Sequence, residues 1–97
     1  MNNKEKIENV VSEYFKVDVD ELYSTHRQDY PYNGARRILM YLLYANGMKS
    51  YVIAEFFNLT SRRVYVMLGE VQVAIKSDSK IRDDVKQIKE MLNEKYK

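Results

Sequence analysis

Ser61, Arg62, Arg63, Tyr65 and Val66 are the residues of this sequence with the clearest chemical potential, and that chemistry is recognition rather than catalysis. On a helix, residues three and four apart lie on one face, so Ser61, Arg62, Tyr65 and Val66 project together with Arg63 beside them. An arginine can form a bidentate pair with guanine, serine and tyrosine reach phosphates or base edges, and valine contacts a thymine methyl. A helix that opens at Thr60 or Ser61 adds first-turn N–H groups and a positive dipole end, both suited to phosphate. The combination predicts a surface for duplex DNA. An ordinary solvated face is the lesser alternative for the Arg62-Arg63 pair.

Readers of this kind need a second helix to hold theirs at a steep angle. The stretch from Ser50 to Gly69 has the required order. Ile53 is apolar, Ala54 is small where two helices would touch, and Phe57 is apolar. Asn58 stands at the turn, where a residue tolerant of the left-handed conformation is needed. Leu59, Val64 and Met67 then face inward. Every constrained position of a helix-turn-helix at about 50–69 is filled acceptably. Ser50 and Thr60, at the two helix starts, join the candidate DNA contacts. The same pattern also occurs in domains that bind nothing.

Helical spacing dominates the rest of the chain. Ile7, Val10, Val11, Tyr14 and Phe15 make one stripe of a first helix at about 4–16. Val19 and Leu22 predict a short helical turn opened by Asp18 as N-cap. The polar run 24–31, ending at Pro31, reads as a loop. Ala35, Ile38, Leu39, Leu42 and Leu43 mark a helix at about 33–45, and Asn46-Gly47 stops it. Ser50 is the expected cap of a helix to Phe57, and Thr60 or Ser61 of one to Lys76. Ser77-Asp78 breaks the chain before a last helix at about 79–96, with Ile81, Val85, Ile88 and Leu92 as its stripe. No segment alternates like a strand. The expected fold is one all-α domain, 1–97: a five- to six-helix bundle with a central helix-turn-helix.

Composition narrows the function classes. The chain has 97 residues, 45% of them apolar and 31% charged, which suits a globular domain with a modest core. It has no cysteine and one histidine, His26, in the polar loop. No metal site, cofactor, small-molecule substrate or enzymatic activity is expected. No run approaches the roughly 18 apolar residues that span a bilayer, and residues 1–6 lead into no secretory signal. A cytoplasmic protein without a membrane partner is the expectation. The net charge of +2 divides unevenly: −3 over residues 1–34, +4 over 35–76 and +1 over 77–97. The positive excess lies with the helix-turn-helix.

Several segments, in order, resemble the C-terminal DNA-binding domain (domain IV) of the bacterial replication initiator DnaA, a Trp-repressor-like helix-turn-helix family. The run from Ile7 to Val17, followed by Asp20-Glu21-Leu22, is similar to that family's first helix and short turn. Ala35-Arg36-Arg37-Ile38-Leu39-Met40-Tyr41-Leu42 resembles its A-R-Q-x-A-M-Y-L. Ser50 to Phe57 takes the place of S-L-x-x-I-G-x-x-F, and Asp78 to Leu92 resembles the closing helix. The resemblance implies the fold, double-stranded DNA as partner, and a role in replication or transcription control.

The departures bear on specificity. Where the family reads bases with G-G-R-D-H-T-T-V, this chain has Asn58-Leu59-Thr60-Ser61-Arg62-Arg63-Val64, one residue shorter after Phe57 and without the Asp-His pair. Recognition of the initiator's own binding box is therefore not implied. Arg27 falls roughly where the family lays an arginine in the minor groove, in a loop one residue longer. Arg36 and Arg37 are candidates for phosphate contact or for pairing with nearby acids. The initiator's ATPase motif, G-x-x-x-x-G-K-[ST], does not occur. The resemblance is to the binding domain working alone, as in a small regulator or a phage or mobile-element protein.

A protein-binding module on the same fold is the competing reading. Tyr32, Tyr44, Tyr51 and Tyr65 can form an adhesive surface, and the last helix can pair with a copy of itself or pack on its own domain. Such a module would form a homodimer or dock on a replication or transcription protein.

Overall fold

The computed structural model describes residues 1–24 and 29–96. They form six helices: α1 (Asn3–Phe15), α2 (Val19–Tyr23), α3 (Tyr32–Ala45), α4 (Ser50–Phe57), α5 (Ser61–Ser77) and α6 (Ser79–Lys95). Among the described residues there is no strand. The chain is all-α, as its apolar spacing predicts.

Local chemistry sets most of the helix ends. Asn2 and Glu5 form a reciprocal capping box at the start of α1. Thr60 Oγ1 accepts from the Arg63 N–H at 3.1 Å at the start of α5. Asp78 accepts from Lys80 and Ile81 at the start of α6, so this one residue both ends α5 and opens the next helix. The ends of α1, α3 and α4 share another device. A left-handed residue follows the helix, and the N–H beyond it reaches back to a carbonyl of the last turn. Gly47 (φ +100°) does this after α3, and Lys16 (φ 58°) and Asn58 (φ 54°) do it after α1 and α4.

One expected helix start needs a correction. The N-cap of α4 is Lys49, not Ser50, and no side chain caps that helix. Ser50 is instead its first helical residue. Helix α3 begins at Tyr32, directly after Pro31, whose ring cannot donate to a preceding carbonyl and is tolerated at a helix start. Asp18 does precede α2, without a side-chain capping bond.

The centre of the bundle is α3, which packs against α1, α2, α4 and α5, while α6 closes over α5 and α1. Leu39, Met40 and Leu43 of α3 are fully buried beside Val10, Val11, Leu22, Ile53 and Phe57. Each such side chain contributes about 1.5–3 kcal/mol relative to an exposed one. Helix α6 buries Val85 and Ile88 within the domain, so the stripe that could have paired with a copy of itself is already occupied.

Two phenols link distant segments. Tyr14 on α1 donates to Asp84 on α6 at 2.7 Å. Tyr23 on α2 donates to the buried carboxylate of Glu8, which Lys4 also contacts at 2.6 Å. The hydrogen bond to Asp84, with burial, pushes the Tyr14 pKa up to about 12. Burial, then the bond to Glu8, raises that of Tyr23. Both shifts favour the protonated phenol in the folded state. Their stabilisation is complete below the ordinary tyrosine pKa of about 10 and is lost as pH rises through the raised values. The urea midpoint should therefore hold to about pH 9 and fall above about pH 10. Tyr23→Phe should flatten that fall; a titration curve identical to wild type would exclude Tyr23 as its source.

Candidate nucleic-acid interface

The pair α4–α5 is joined by three residues, Asn58, Leu59 and Thr60. Asn58 adopts the left-handed conformation, its N–H donating to Glu55 O at 3.2 Å. The Leu59 N–H donates to Ala54 O at 2.9 Å. Leu59 itself packs on the core. These bonds end α4 abruptly and aim the chain into α5, which Thr60 then caps. Glycine takes this backbone without strain; asparagine accepts it because its short polar side chain tolerates a positive φ.

The inner faces are apolar. Ile53, Ala54 and Phe57 of α4 and Val64, Met67 and Leu68 of α5 are all buried. Ala54 lets the two backbones approach, and Phe57 anchors α4 to α2, with its ring centroid 4.7 Å from that of Tyr23.

The outer face of the first two turns of α5 is open. Thr60, Ser61, Arg62 and Arg63 are exposed, and so are Tyr65 (73%) and Val66 (46%). Among the described residues neither Arg62 nor Arg63 forms an ion pair. Two guanidinium groups, a phenol and a valine thus stand together at a capped helix N-terminus. That arrangement can offer planar donors, an aromatic face and a positive helix end to a polyanion.

Other candidate residues lie elsewhere. Arg36 is buried, at 2% exposure. Its Nε donates to Leu22 O at 3.2 Å, and a terminal nitrogen donates to Ser24 O. Burial lowers its pKa from the usual guanidinium value. These bonds tie it to backbone carbonyls at the end of α2, and its burial corrects the expectation of phosphate contact. Arg37 is a third exposed and faces Glu70 of α5 at 4.0 Å, so it takes the acid-pairing alternative. Ser50 is half-buried at the start of α4. Arg27 and His26 lie outside the described residues.

Of the four tyrosines that could form an adhesive surface, Tyr44, Tyr51 and Tyr65 are exposed, whereas Tyr32 packs against the core. The open face of α5 is longer than its sequence-predicted contacts. It continues past Val66 through Gly69, Gln72, Val73 and Lys76, all exposed. Stepping 100° per residue onward from Arg62 is the signal that finds it. No helix among the described residues is long and apolar enough to cross a membrane. None of their acidic or histidine side chains cluster in a way that could hold a metal. The chain matches no protein-family model and no curated protein.

Proposed function

We propose that this domain binds double-stranded DNA through a helix-turn-helix formed by α4 and α5, with the start of α5 in the major groove. The observation that carries this reading is the exposed, unpaired Arg62-Arg63 pair beside Tyr65 and Val66 at the Thr60-capped end of α5. Arg62 reads a base, Arg63 and the first-turn N–H groups hold phosphate, and Tyr65 and Val66 contact base edges or a thymine methyl. The resemblance to the DnaA C-terminal domain supports the same geometry and a role in replication or transcription control. Its base readers are not this chain's, so the sequence recognised is a different one.

Selection from random duplex DNA, repeated at two salt concentrations, tests this. A defined motif should emerge, with affinity falling as salt rises. Arg62→Ala should cost about 1–3 kcal/mol and relax preference at one position of the motif. Arg63→Ala should weaken binding evenly across sequences and lower the salt slope by about one. Recovery of no motif, with Arg62→Ala indistinguishable from wild type, would sink the reading.

A second reading, an interaction module that self-associates or docks on a replication or transcription protein, draws on the exposed aromatic rings of Tyr44, Tyr51, Phe56 and Tyr65. It predicts that triple alanine replacement of Tyr44, Tyr51 and Phe56 abolishes partner binding and leaves DNA untouched.

A further inference from the structure

We infer that the DNA contact runs the length of α5, with Gly69 as the point of closest approach, Gln72 and Val73 as further base readers, and Lys76 as a second phosphate anchor. The inference rests on the DNA-binding reading and extends it to four residues beyond the first two turns.

Helix geometry places these residues together. At about 100° per residue, Arg62 and Lys76 each lie within about 20° of Gly69, two turns before and two turns after it. Tyr65 and Gln72 flank that line on one side, and Val66 and Val73 on the other, all within about 60°. All seven residues are exposed. The buried residues Val64, Met67, Leu68 and Val71 occupy the opposite side. Gly69 therefore stands close to the middle of the outward face.

Nothing inside the domain accounts for a glycine there. A Cβ added at Gly69 would meet no heavy atom within 4 Å, and its φ is not in the positive region that favours glycine. Within a helix, glycine is destabilising relative to alanine because it loses more backbone freedom on folding. The one thing it supplies is a gap between the side chains of Tyr65, Val66, Gln72 and Val73. Through that gap an outside surface can approach the helix backbone.

Charge identifies the surface. The face begins at Arg62 and ends at Lys76, about 21 Å apart along the axis. It carries no acid; Glu70, the only acidic residue of α5, points about 100° away and faces Arg37. The major groove is about 12 Å wide. Lys76 at the far end can therefore reach a phosphate ridge, as Arg63 does at the near end, while Arg62, the glycine and the small apolar residues lie over the base edges. Gln72 has the paired donor and acceptor that match adenine, and Val73 suits a thymine methyl. A second copy of α5 fits this face poorly. Crossing at Gly69 would bring Arg62 against Lys76 of the copy when antiparallel, or set each cation against its own counterpart when parallel.

The test uses the duplex recovered by selection, a random duplex pool, and the full chain. Gly69→Ala should raise the melting temperature while weakening binding to the selected duplex. Gly69→Leu should weaken it at least tenfold with the melting temperature no lower than wild type. Gln72→Ala should remove preference at one motif position that Arg62→Ala leaves intact. Lys76→Ala should lower the salt slope by about one. If Gly69→Leu and Lys76→Ala bind like wild type while Arg62→Ala loses affinity, the contact ends in the first two turns and this inference fails alone. Should the wild-type chain bind neither probe, the DNA reading fails with it. A change in oligomeric state on Gly69→Leu, with DNA affinity unchanged, would overturn the inference in favour of a protein contact.

Discussion

Phe57→Ala is expected to destabilise the domain by about 3–5 kcal/mol, at the upper end of what one core truncation can do. Phe57 is the largest of the fully buried side chains, and it is the last residue of α4. Its ring fills the space between α4 and α2 against Tyr23, whose hydroxyl is fixed in turn by Glu8. Removing it forfeits the burial of an aromatic ring and leaves a cavity that a helix end, pinned by the Asn58 turn, cannot collapse to fill. A domain of this size has roughly 5–15 kcal/mol in all, so the urea midpoint should drop by a large fraction.

The neighbouring residue supplies the control. Phe56 is 44% exposed, and its ring faces Lys4 Nζ at 4.3 Å. Phe56→Ala should cost no more than about 1 kcal/mol, the scale of an exposed cation–π contact. Equal costs for the two substitutions would mean that α4 is not docked through Phe57. DNA affinity should follow the same order, because α4 holds α5 at its angle. Phe57→Ala should weaken binding even at temperatures where the domain remains folded.

The sequence displays its local structure well and its long-range commitments poorly. Thr60, Asp78, Gly47 and Asn58 mark helix ends where the structure has them, because a capping oxygen or a left-handed backbone is a property of a few adjacent residues. Ser50 misleads by one position. Its residue type suits a cap, but the extended backbone at Lys49 makes that residue the boundary, and no side chain completes it. Lys16 ends α1 in a left-handed conformation that no residue preference indicates. The outward residues of α5 are legible because one amphipathic helix divides its own faces. The pairing of Arg37 with Glu70 is not, since it joins helices that only the folded core brings together.

Arg36 shows most clearly how a sequence pattern can mislead. Ala35, Ile38, Leu39, Leu42 and Leu43 define a stripe that leaves Arg36 near its edge, and a basic residue at a helix edge reads as a surface group. Yet Arg36, Leu39, Met40 and Leu43 form their own i, i+3, i+4, i+7 series, and all four are buried. The buried zone of α3 is wider than one stripe because four helices pack around it. The carbonyls of Leu22 and Ser24, contributed by a segment more than ten residues earlier, help to make burial of a cation tolerable there.

Arg36→Ala should therefore destabilise the domain by about 2–4 kcal/mol, through lost hydrogen bonds to a charged group and a carbonyl left buried without a donor. The expected signature is a lower urea midpoint in the absence of DNA. Arg36→Lys separates this structural role from phosphate contact. An ammonium would serve a phosphate nearly as well, but it lacks the planar fork that spans two carbonyls. Lysine should thus recover little of the lost stability. With every variant assayed well below its melting temperature, DNA affinity and salt slope should match wild type for both substitutions. The opposite pattern would return Arg36 to the DNA-contacting surface: an unchanged urea midpoint, a salt slope lower by about one in Arg36→Ala, and recovery of affinity by lysine. The two roles make contrary demands on the guanidinium, because a group donating to the carbonyls of Leu22 and Ser24 must break those bonds to reach solvent.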